Sequence, residues 1–245
     1  MKQVDYEDEH LVSEYLRITY NGGIWRSELD SIRTYCSFDD NILDVGCGTG
    51  RIAYGLYQNG YKNIYGIDIS ESMIHQAIVN TSEDNAIKYI SADIVRECPF
   101  DDVKFRLAIF GYNGLMCIRG INNRINALDH IHKLLRKDGI FVFTAQFQCF
   151  SPESKHFELW NERRSVYHDR GISELEDSFG DLFVEDKGNK VFHHFTSDFE
   201  ITKMLGNKWL LLDSFWRDER FAESCSTLQY SNNCKFFVLQ KKEET

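Results

Sequence analysis

Three glycines at alternate positions follow a short apolar segment, and their spacing is suited to holding a ligand. The segment Ile42–Val45 is apolar except for Asp44, and Gly46, Gly48 and Gly50 come after it. Glycine adopts backbone angles that a side chain forbids, so the chain can approach a ligand closely at these positions. The amides at the start of a following helix attract anionic groups. The pattern therefore predicts a binding loop.

An acidic residue at the end of a second apolar segment complements this loop. Asp68 follows Ile64–Ile67, about eighteen residues after the last glycine of the loop. A carboxylate at this place accepts hydrogen bonds from two ribose hydroxyls, which predicts a nucleoside cofactor. The dinucleotide-binding fingerprint requires a third glycine at the position of Arg51, and this sequence lacks it.

The residues L-D-V-G-C-G-T-G at 43–50 resemble motif I of the class I S-adenosylmethionine-dependent methyltransferases. Later segments match this family in the expected order over about residues 38–148: Ser91–Ile94 the adenine segment, Phe105–Gly111 the fourth strand, and Leu134–Thr144 the helix–turn–strand that follows. The resemblance implies S-adenosyl-L-methionine as the cofactor. It implies cofactor contacts at these residues: Asp44, Gly46, Cys47, Gly48, Gly50, Asp68, Ile69, Met73, Asp93, Ile94 and Gly111.

Strands and helices are predicted to alternate from residue 41. The predicted strands are 41–46, 63–68, 87–91, 105–111 and 140–146, and the helices between them are 51–59, 70–80 and 122–136. Such alternation favours a mainly parallel sheet with ligands at the carboxyl ends of its strands. We therefore expect an α/β fold with a Rossmann-like, seven-stranded methyltransferase sheet, mostly parallel with a reversed C-terminal strand, plus a small lid insertion.

The segments outside this alternation are predicted to cover the site. Residues 1–37 are expected to form one or two helices across the mouth of the cofactor cleft. Residues 148–196 interrupt the alternation and are expected to form a lid over the acceptor substrate, with a hairpin over 181–185 and 190–195. A capping box of Ser197 and Glu200 predicts a short helix before Gly206. Two last strands, 209–216 and 234–240, complete a single domain.

Candidates for catalysis follow the fourth strand and lie in the lid. Methyl transfer mainly requires positioning of the acceptor and exclusion of water, and a base is needed only if the acceptor loses a proton. Tyr112 is expected to form a wall of the pocket and Asn113 to orient the acceptor. His193 and His194 are neighbours on a strand, so at most one faces the cleft. His194 is the candidate of the pair.

The sequence speaks against a metal site. Seven cysteines are scattered without a C-x-x-C pair, which argues against zinc and against a disulfide framework and favours the reducing cytoplasm. Cys47 is expected to fill space in the glycine loop. The loop 111–114 carries no carboxylate for a divalent ion, which argues against a magnesium-dependent enzyme of the catechol type.

Composition limits the acceptor. The net charge of −10 over 245 residues argues against a nucleic-acid substrate, because phosphate contacts require a basic surface. No apolar run reaches the length of a membrane span, and the acidic N-terminus is unlike a signal peptide. The leading hypothesis is O- or N-methylation of a small molecule. Two alternatives remain: a tRNA wobble-uridine-type methyltransferase, faintly resembled by residues 124–146 and 179–201, and a catalytically silent cofactor-binding partner protein. The sequence does not address the oligomeric state.

Overall fold

A computed structural model describes residues 6–81, 87–100, 102–168, 180–186 and 189–243, with only the backbone described at 163–168, 183–186 and 189–190. The helices are α1 (Glu9–Gly22), α2 (Arg26–Tyr35), α3 (Arg51–Gln58), α4 (Glu71–Asn80), α5 (Ile121–Leu134), α6 (Phe157–His168), α7 (Asp198–Leu205), α8 (Arg217–Arg220) and α9 (Cys225–Tyr230). The strands are β1 (Asn41–Val45), β2 (Asn63–Asp68), β3 (Ile87–Ser91), β4 (Phe105–Phe110), β5 (Leu135–Ala145), β6 (Asp181–Asp186), β7 (Asn189–His194), β8 (Trp209–Trp216) and β9 (Lys235–Lys241).

Seven strands form one sheet in the order β3-β2-β1-β4-β5-β9-β8. The five strands from β3 to β5 are parallel, and β9 runs antiparallel to both of its neighbours. The register places Val45 of β1 opposite Ile67 of β2, and Asp44 opposite Ile109 of β4. This architecture confirms the predicted fold class. It also brings the carboxyl ends of β1, β2 and β4 to one edge of the sheet.

Apolar residues cover both faces of the sheet. Because strand residues alternate between faces, Leu43 and Val45 pack in a cluster with α5, whereas Ile42 packs with α2 and α3 on the opposite face. Trp25 and Ile32 of the N-terminal segment are buried in that second cluster. The sequences of the parallel strands are therefore nearly continuous apolar runs, because both faces of these strands are covered.

The boundary between α5 and β5 differs from the prediction. The helix was expected to run to residue 136 and the strand to begin at 140, but α5 ends at Leu134 and β5 starts at Leu135. Leu135 is buried and pairs with Phe105 of β4 before a register shift. Asp138 then adopts a left-handed backbone with φ of 57°. Burial of Leu135 against the sheet therefore ends the helix two residues early.

The C-terminal part contains the predicted hairpin and short helix. β6 and β7 pair antiparallel, while the predicted turn at 187 and 188 lies outside the described residues, as does 169–179 of the predicted lid. The Ser197 hydroxyl accepts from the Glu200 amide and so caps α7. Helices α8 and α9 were not predicted. Among the described residues, no helix is long and apolar enough to cross a membrane.

Candidate cofactor and methyl-transfer site

The glycine loop leaves β1 through residues with positive φ. Gly46, Gly48 and Gly50 have φ of 62°, 53° and 89°. A Cβ at Gly46 would lie 2.5 Å from the ring of Phe110, so that position needs glycine for packing as well as for conformation. At Gly48 the nearest described atom to such a Cβ is on the Tyr15 side chain, 3.7 Å away. The outer side of the loop therefore leaves space for a ligand.

Asp68 is tied directly to this loop by its carboxylate. One oxygen accepts from the Gly48 amide at 2.8 Å, and the other accepts from the Ser70 amide at 3.0 Å. Burial raises the pKa of Asp68, although the amides of Ser70, Gly48 and Ile69 favour its ionised form. Each carboxylate oxygen has a second lone pair for another donor. The predicted pairing of glycine loop and acidic strand end is thus a direct hydrogen bond.

Asp44 supports the loop from beneath. It is buried, lies in the wall of the pocket and accepts from the Ala53 amide in the first turn of α3 at 3.0 Å. Burial raises the pKa of Asp44 to about 8, although the Arg51 guanidinium lowers it. Burial likewise raises the pKa of the Cys47 thiol well above its usual value, which fits a space-filling role for Cys47.

A buried ion pair that the sequence analysis missed holds the start of α3. Arg51 donates to both carboxylate oxygens of Glu28, at 2.7 and 2.6 Å, and also to the Gly23 carbonyl at 2.9 Å. Glu28 also accepts from the Trp25 amide at 2.9 Å, which caps α2. The only sequence signal was that an arginine stands where dinucleotide-binding loops have glycine.

The pocket at this edge of the sheet brings predicted and unpredicted residues together. Its lining includes six predicted residues: Asp44, Gly46, Cys47, Gly48, Gly111 and Tyr112. Its other residues come from α1 and from the start of α3: Tyr15, Ile18, Thr19, Thr49, Arg51 and Ile52. Helix α1 reaches the loop directly, since the hydroxyls of Thr19 and Thr49 are 2.7 Å apart.

The loop after β4 has two consecutive non-glycine residues in left-handed conformation, Tyr112 with φ of 52° and Asn113 with φ of 60°. The Tyr112 ring packs against Trp25 and Tyr15, and its hydroxyl donates to the Tyr230 carbonyl at 2.5 Å. Asn113 is 8% exposed, and its Oδ1 has no hydrogen-bond partner among the described atoms. A buried unpaired oxygen is costly, so the predicted role of Asn113 in contacting a ligand stays a prediction that this geometry favours.

The predicted adenine end lies further along the same edge. The Asp93 carboxylate accepts from the Val95 amide at 2.9 Å and lies 3.2 Å from Arg96, so its predicted adenine contact stays a prediction. Ile94 is buried in the core, Met73 is buried on α4, and Ile69 is 55% exposed just after β2. The structure thus places Ile69 on the surface of this edge and Ile94 within the core.

His194 lies in a buried network of charged groups outside the pocket. Its Nδ1 is 2.7 Å from Asp181 and its Nε2 is 2.6 Å from Glu200, which also accepts from Arg124 at 2.6 Å. Burial alone lowers the pKa of His194, but the two carboxylates outweigh this effect and raise it. Both ring nitrogens are engaged by carboxylates and His194 is absent from the lining of the pocket, so its ring does not reach the site. This placement corrects the prediction of a catalytic role for His194. It also shows that the Glu200 side chain binds the network, so the predicted capping box is only half formed.

The sheet order, the glycine loop and Asp68 define the architecture of class I methyltransferases. Residues 42–139 match the family model described as methyltransferase domain. Residues 42–139 thus form a methyltransferase domain, and this agrees with the resemblance of motif I to the class I S-adenosylmethionine-dependent methyltransferases.

Individual relatives agree with this assignment. Malonyl-acyl-carrier-protein O-methyltransferase 2 of Ilyobacter polytropus is 26% identical over 227 residues, which are 82% of this chain and 83% of that protein. Ribosomal protein L11 methyltransferase of Staphylococcus haemolyticus is 27% identical over 152 residues, which are 58% of this chain and 44% of that protein. A crystal structure of a methyltransferase from Methanosarcina mazei has a TM-score of 0.69 at 19% identity, covering 91% of this chain and 100% of that one, and shows a common fold. The chain spans about half the length of several curated methyltransferases that it matches, namely 53%, 44% and 47% of them.

We predict that Asp68→Ala weakens the binding of S-adenosylhomocysteine by about 1–3 kcal/mol, because ribose hydroxyls lose their acceptor. Isothermal titration calorimetry measures this change. Asp39→Ala removes an exposed carboxylate outside the pocket and should leave affinity unchanged. Unaltered affinity in a folded Asp68→Ala protein would show that Asp68 lies outside the binding site.

We predict that Glu28→Gln or Arg51→Met lowers the free energy of unfolding by about 3–5 kcal/mol, because either change leaves a buried charge without its partner. The double variant should regain part of this loss. As a control, Asp30→Asn removes a carboxylate 3.9 Å from Arg26 on the surface and should cost less than about 1 kcal/mol. Urea denaturation measures all four proteins, and additive losses in the double variant would contradict the interpretation.

We predict that Asp44 makes the ligand-free protein less stable as pH rises from about 4 to 8. Its pKa is about 8 in the folded state against an ordinary value of 3.8, so the folded state binds more protons across this window. Asp44→Asn stays neutral and should lose this contribution. The free energy of unfolding of the variant minus that of the wild type should therefore rise by at least about 1 kcal/mol between pH 5 and 8, as measured by urea denaturation. A constant difference would show that Asp44 is ionised in the folded state.

Proposed function

We propose that the protein is an S-adenosylmethionine-dependent methyltransferase that methylates a small molecule on oxygen or nitrogen. When bound, the cofactor supplies a methyl group on a positively charged sulfur. The observation that carries the choice of a small acceptor is the partial enclosure of the site, because α1 lines the pocket and the hairpin strand β7 packs against α1 and α4 beside it.

The residues present fit the cofactor. Asp68 offers acceptor oxygens for the ribose, and the outer side of the loop at Gly48 leaves space beside it. The loop amides at the start of α3 favour polar and anionic groups. The Asn113 Oδ1 offers a buried acceptor without a partner among the described atoms.

The enclosure involves contacts between distant parts of the chain. Val191 of β7 is buried in a cluster with Leu11 of α1 and Met73 of α4. Such a cluster excludes water from the edge of the sheet where the glycine loop and the β4 loop meet. Exclusion of water and orientation of the acceptor are the main tasks of the protein in methyl transfer.

The charges of the site support a small acceptor over RNA. In the described lining of the pocket the charged residues are Asp44 and Arg51, and Arg51 is neutralised by Glu28. A polynucleotide needs cations along its phosphates, and the net charge of −10 works against it. An enclosed pocket without an unpaired cation therefore favours a small acceptor.

In this proposal the loop after β4 positions the acceptor. The Tyr112 ring is held between Trp25 and Tyr15 and forms a rigid wall. The backbone N–H of Asn113 donates to Thr144 Oγ1 at 2.8 Å. These contacts hold the Asn113 side chain at the carboxyl end of β4, where it can orient an O–H or N–H group. The scattering of the seven cysteines along the sequence without a C-x-x-C pair supports a cytoplasmic location.

The test is transfer of a labelled methyl group. We predict that the purified protein carries S-adenosylhomocysteine, detectable by mass spectrometry, and transfers a trideuteromethyl group to a compound in the low-molecular-mass fraction of a cell extract. Total RNA, incubated in parallel, should remain unlabelled. Gly48→Val, whose side chain would occupy the open side of the loop, serves as the inactive control.

Three outcomes separate the hypotheses. Label in RNA would favour the tRNA alternative. Bound S-adenosylhomocysteine without label in any fraction, including protein, would favour a silent cofactor-binding partner. Absence of any cofactor binding would contradict the proposed function altogether.

A further inference from the structure

The neighbouring histidines of β7 lie on opposite faces of the strand, and only one face meets the pocket side of the molecule. His194 is enclosed in its charged network on one face. Val191 shares the other face with His193, because strand residues two apart lie on the same side. Val191 is buried against Leu11 and Met73. The side chain of His193 therefore points to the side on which α1 and α4 border the cofactor site.

His193 also lies beside the segment that leaves the carboxyl end of β4. Its Nδ1 is 3.9 Å from Sγ of Cys117, the last residue of a short 3-10 helix, Gly114–Cys117. That helix begins directly after Asn113, whose Oδ1 is buried and unpaired among the described atoms. His193 and Asn113 thus flank the same short segment.

Tyr6 connects this position with the ribose end of the site. Burial raises the pKa of the Tyr6 phenol well above its usual value, and the nearby Cys117, Tyr15 and Asp68 act in the same direction. The Tyr6 carbonyl accepts from the Ser70 hydroxyl at 2.9 Å, and Tyr6 packs against the cluster of Leu11, Met73 and Val191. Tyr6 thus lies between the segment that follows Asp68 and the face of β7 that carries His193.

From this arrangement we propose that His193 faces the methyl acceptor and takes the proton that the acceptor loses. The inference rests on the proposed function, and it assigns to His193 the role that the sequence suggested for His194. It requires an acceptor with an O–H or N–H group.

Among the described residues, the titratable groups Cys117, Tyr6 and Asp68 are unsuited to the task. Burial raises the pKa of Cys117 to about 12, so its thiol stays protonated, and the Tyr6 phenol is also neutral. The Asp68 carboxylate is held by two backbone amides. From β6 the residue opposite His193 is Leu182, which is apolar. Imidazole is the side chain that ordinarily accepts a proton near neutral pH.

The step balances without a further reactant. A lone pair of the acceptor atom forms the bond to the methyl carbon, and the electron pair of the carbon–sulfur bond stays on sulfur, which becomes neutral. The proton of the acceptor moves to a ring nitrogen of His193 and then to water. The products are the methylated acceptor, S-adenosylhomocysteine and one proton.

The position of His193 is tested by binding alone. Sinefungin carries an ammonium group where S-adenosylmethionine carries its methyl-bearing sulfur, whereas S-adenosylhomocysteine is uncharged there. We expect His193→Glu to favour sinefungin over S-adenosylhomocysteine by at least about threefold relative to wild type, and His193→Lys to disfavour it by a similar factor, through the Coulomb interaction. Calorimetry measures both dissociation constants.

His75→Glu is the matched control, because His75 is exposed on α4 and outside the pocket lining. Its affinity ratio should equal that of wild type. An unchanged ratio in His193→Glu and His193→Lys, with both ligands still bound, would overturn the proposal. Failure of the wild-type protein to bind either ligand would instead contradict the proposed function.

The proton-accepting role is tested with the low-molecular-mass extract as the source of acceptor. We expect His193→Gln to reduce the rate of trideuteromethyl incorporation at least tenfold and to abolish its rise between pH 6 and 8. Glutamine keeps a hydrogen-bonding group of similar size, so a structural role would leave the pH profile unchanged. A wild-type rate and profile in His193→Gln would refute the assignment.

Discussion

The buried ion pair between Glu28 and Arg51 is the interaction on which the cofactor pocket depends. It joins α2 to the first residue of α3 and so fixes the point where the glycine loop becomes a helix. Glu28 is fully buried, so its charge is tolerable only with a partner of good geometry. The pair also restricts its surroundings: a Cβ at Gly111 would lie 2.9 Å from a Glu28 carboxylate oxygen. The glycine that ends β4 is therefore required by an ion pair from the other side of the pocket.

Trp25 extends this restraint to the C-terminal part of the chain. Its ring lies between two guanidinium groups, Arg51 at 4.6 Å and Arg217 at 4.7 Å. Arg217 in turn donates to Ser231 Oγ at 2.7 Å. Because cation–π contacts strengthen when desolvated, this stack ties the N-terminal helices, the loop and the residues after β8 into one unit. The pocket wall is thus built from three parts of the chain.

The hairpin β6–β7 is held by a different kind of interaction. His194, Asp181, Glu200 and Arg124 form a buried charged network that joins the hairpin to α5 and α7. Each carboxylate has a hydrogen-bonding partner, since Asp181 contacts His194 and Glu200 contacts both His194 and Arg124. Anchoring one face of β7 in this way leaves the opposite face, with Val191 and His193, directed toward α1, α4 and the loop after β4.

The sequence predicted the local features well because short-range patterns carry them. Gly46, Gly48 and Gly50 adopt positive φ, and Asp68 ends an apolar strand. The alternation of apolar segments indicates a parallel sheet that is covered on both faces. The strand boundaries and the cap at Ser197 depend on neighbours only a few residues away. Such features, including the boundaries of β2 and β3 although not the start of β5, are readable from one chain because their physical causes are local.

Other features depended on residues that meet only after folding. Glu28 and Arg51 are 23 residues apart, and nothing near either one in the sequence specifies the other. The early end of α5 depends on Leu135 packing against β4, which overrides helix propensity. The sequence also showed that only one of His193 and His194 could face the pocket. Tertiary structure places the two histidines differently, because Asp181 of β6 and Glu200 of α7 engage both ring nitrogens of His194, whereas His193 lies beside Cys117 on the opposite face of β7.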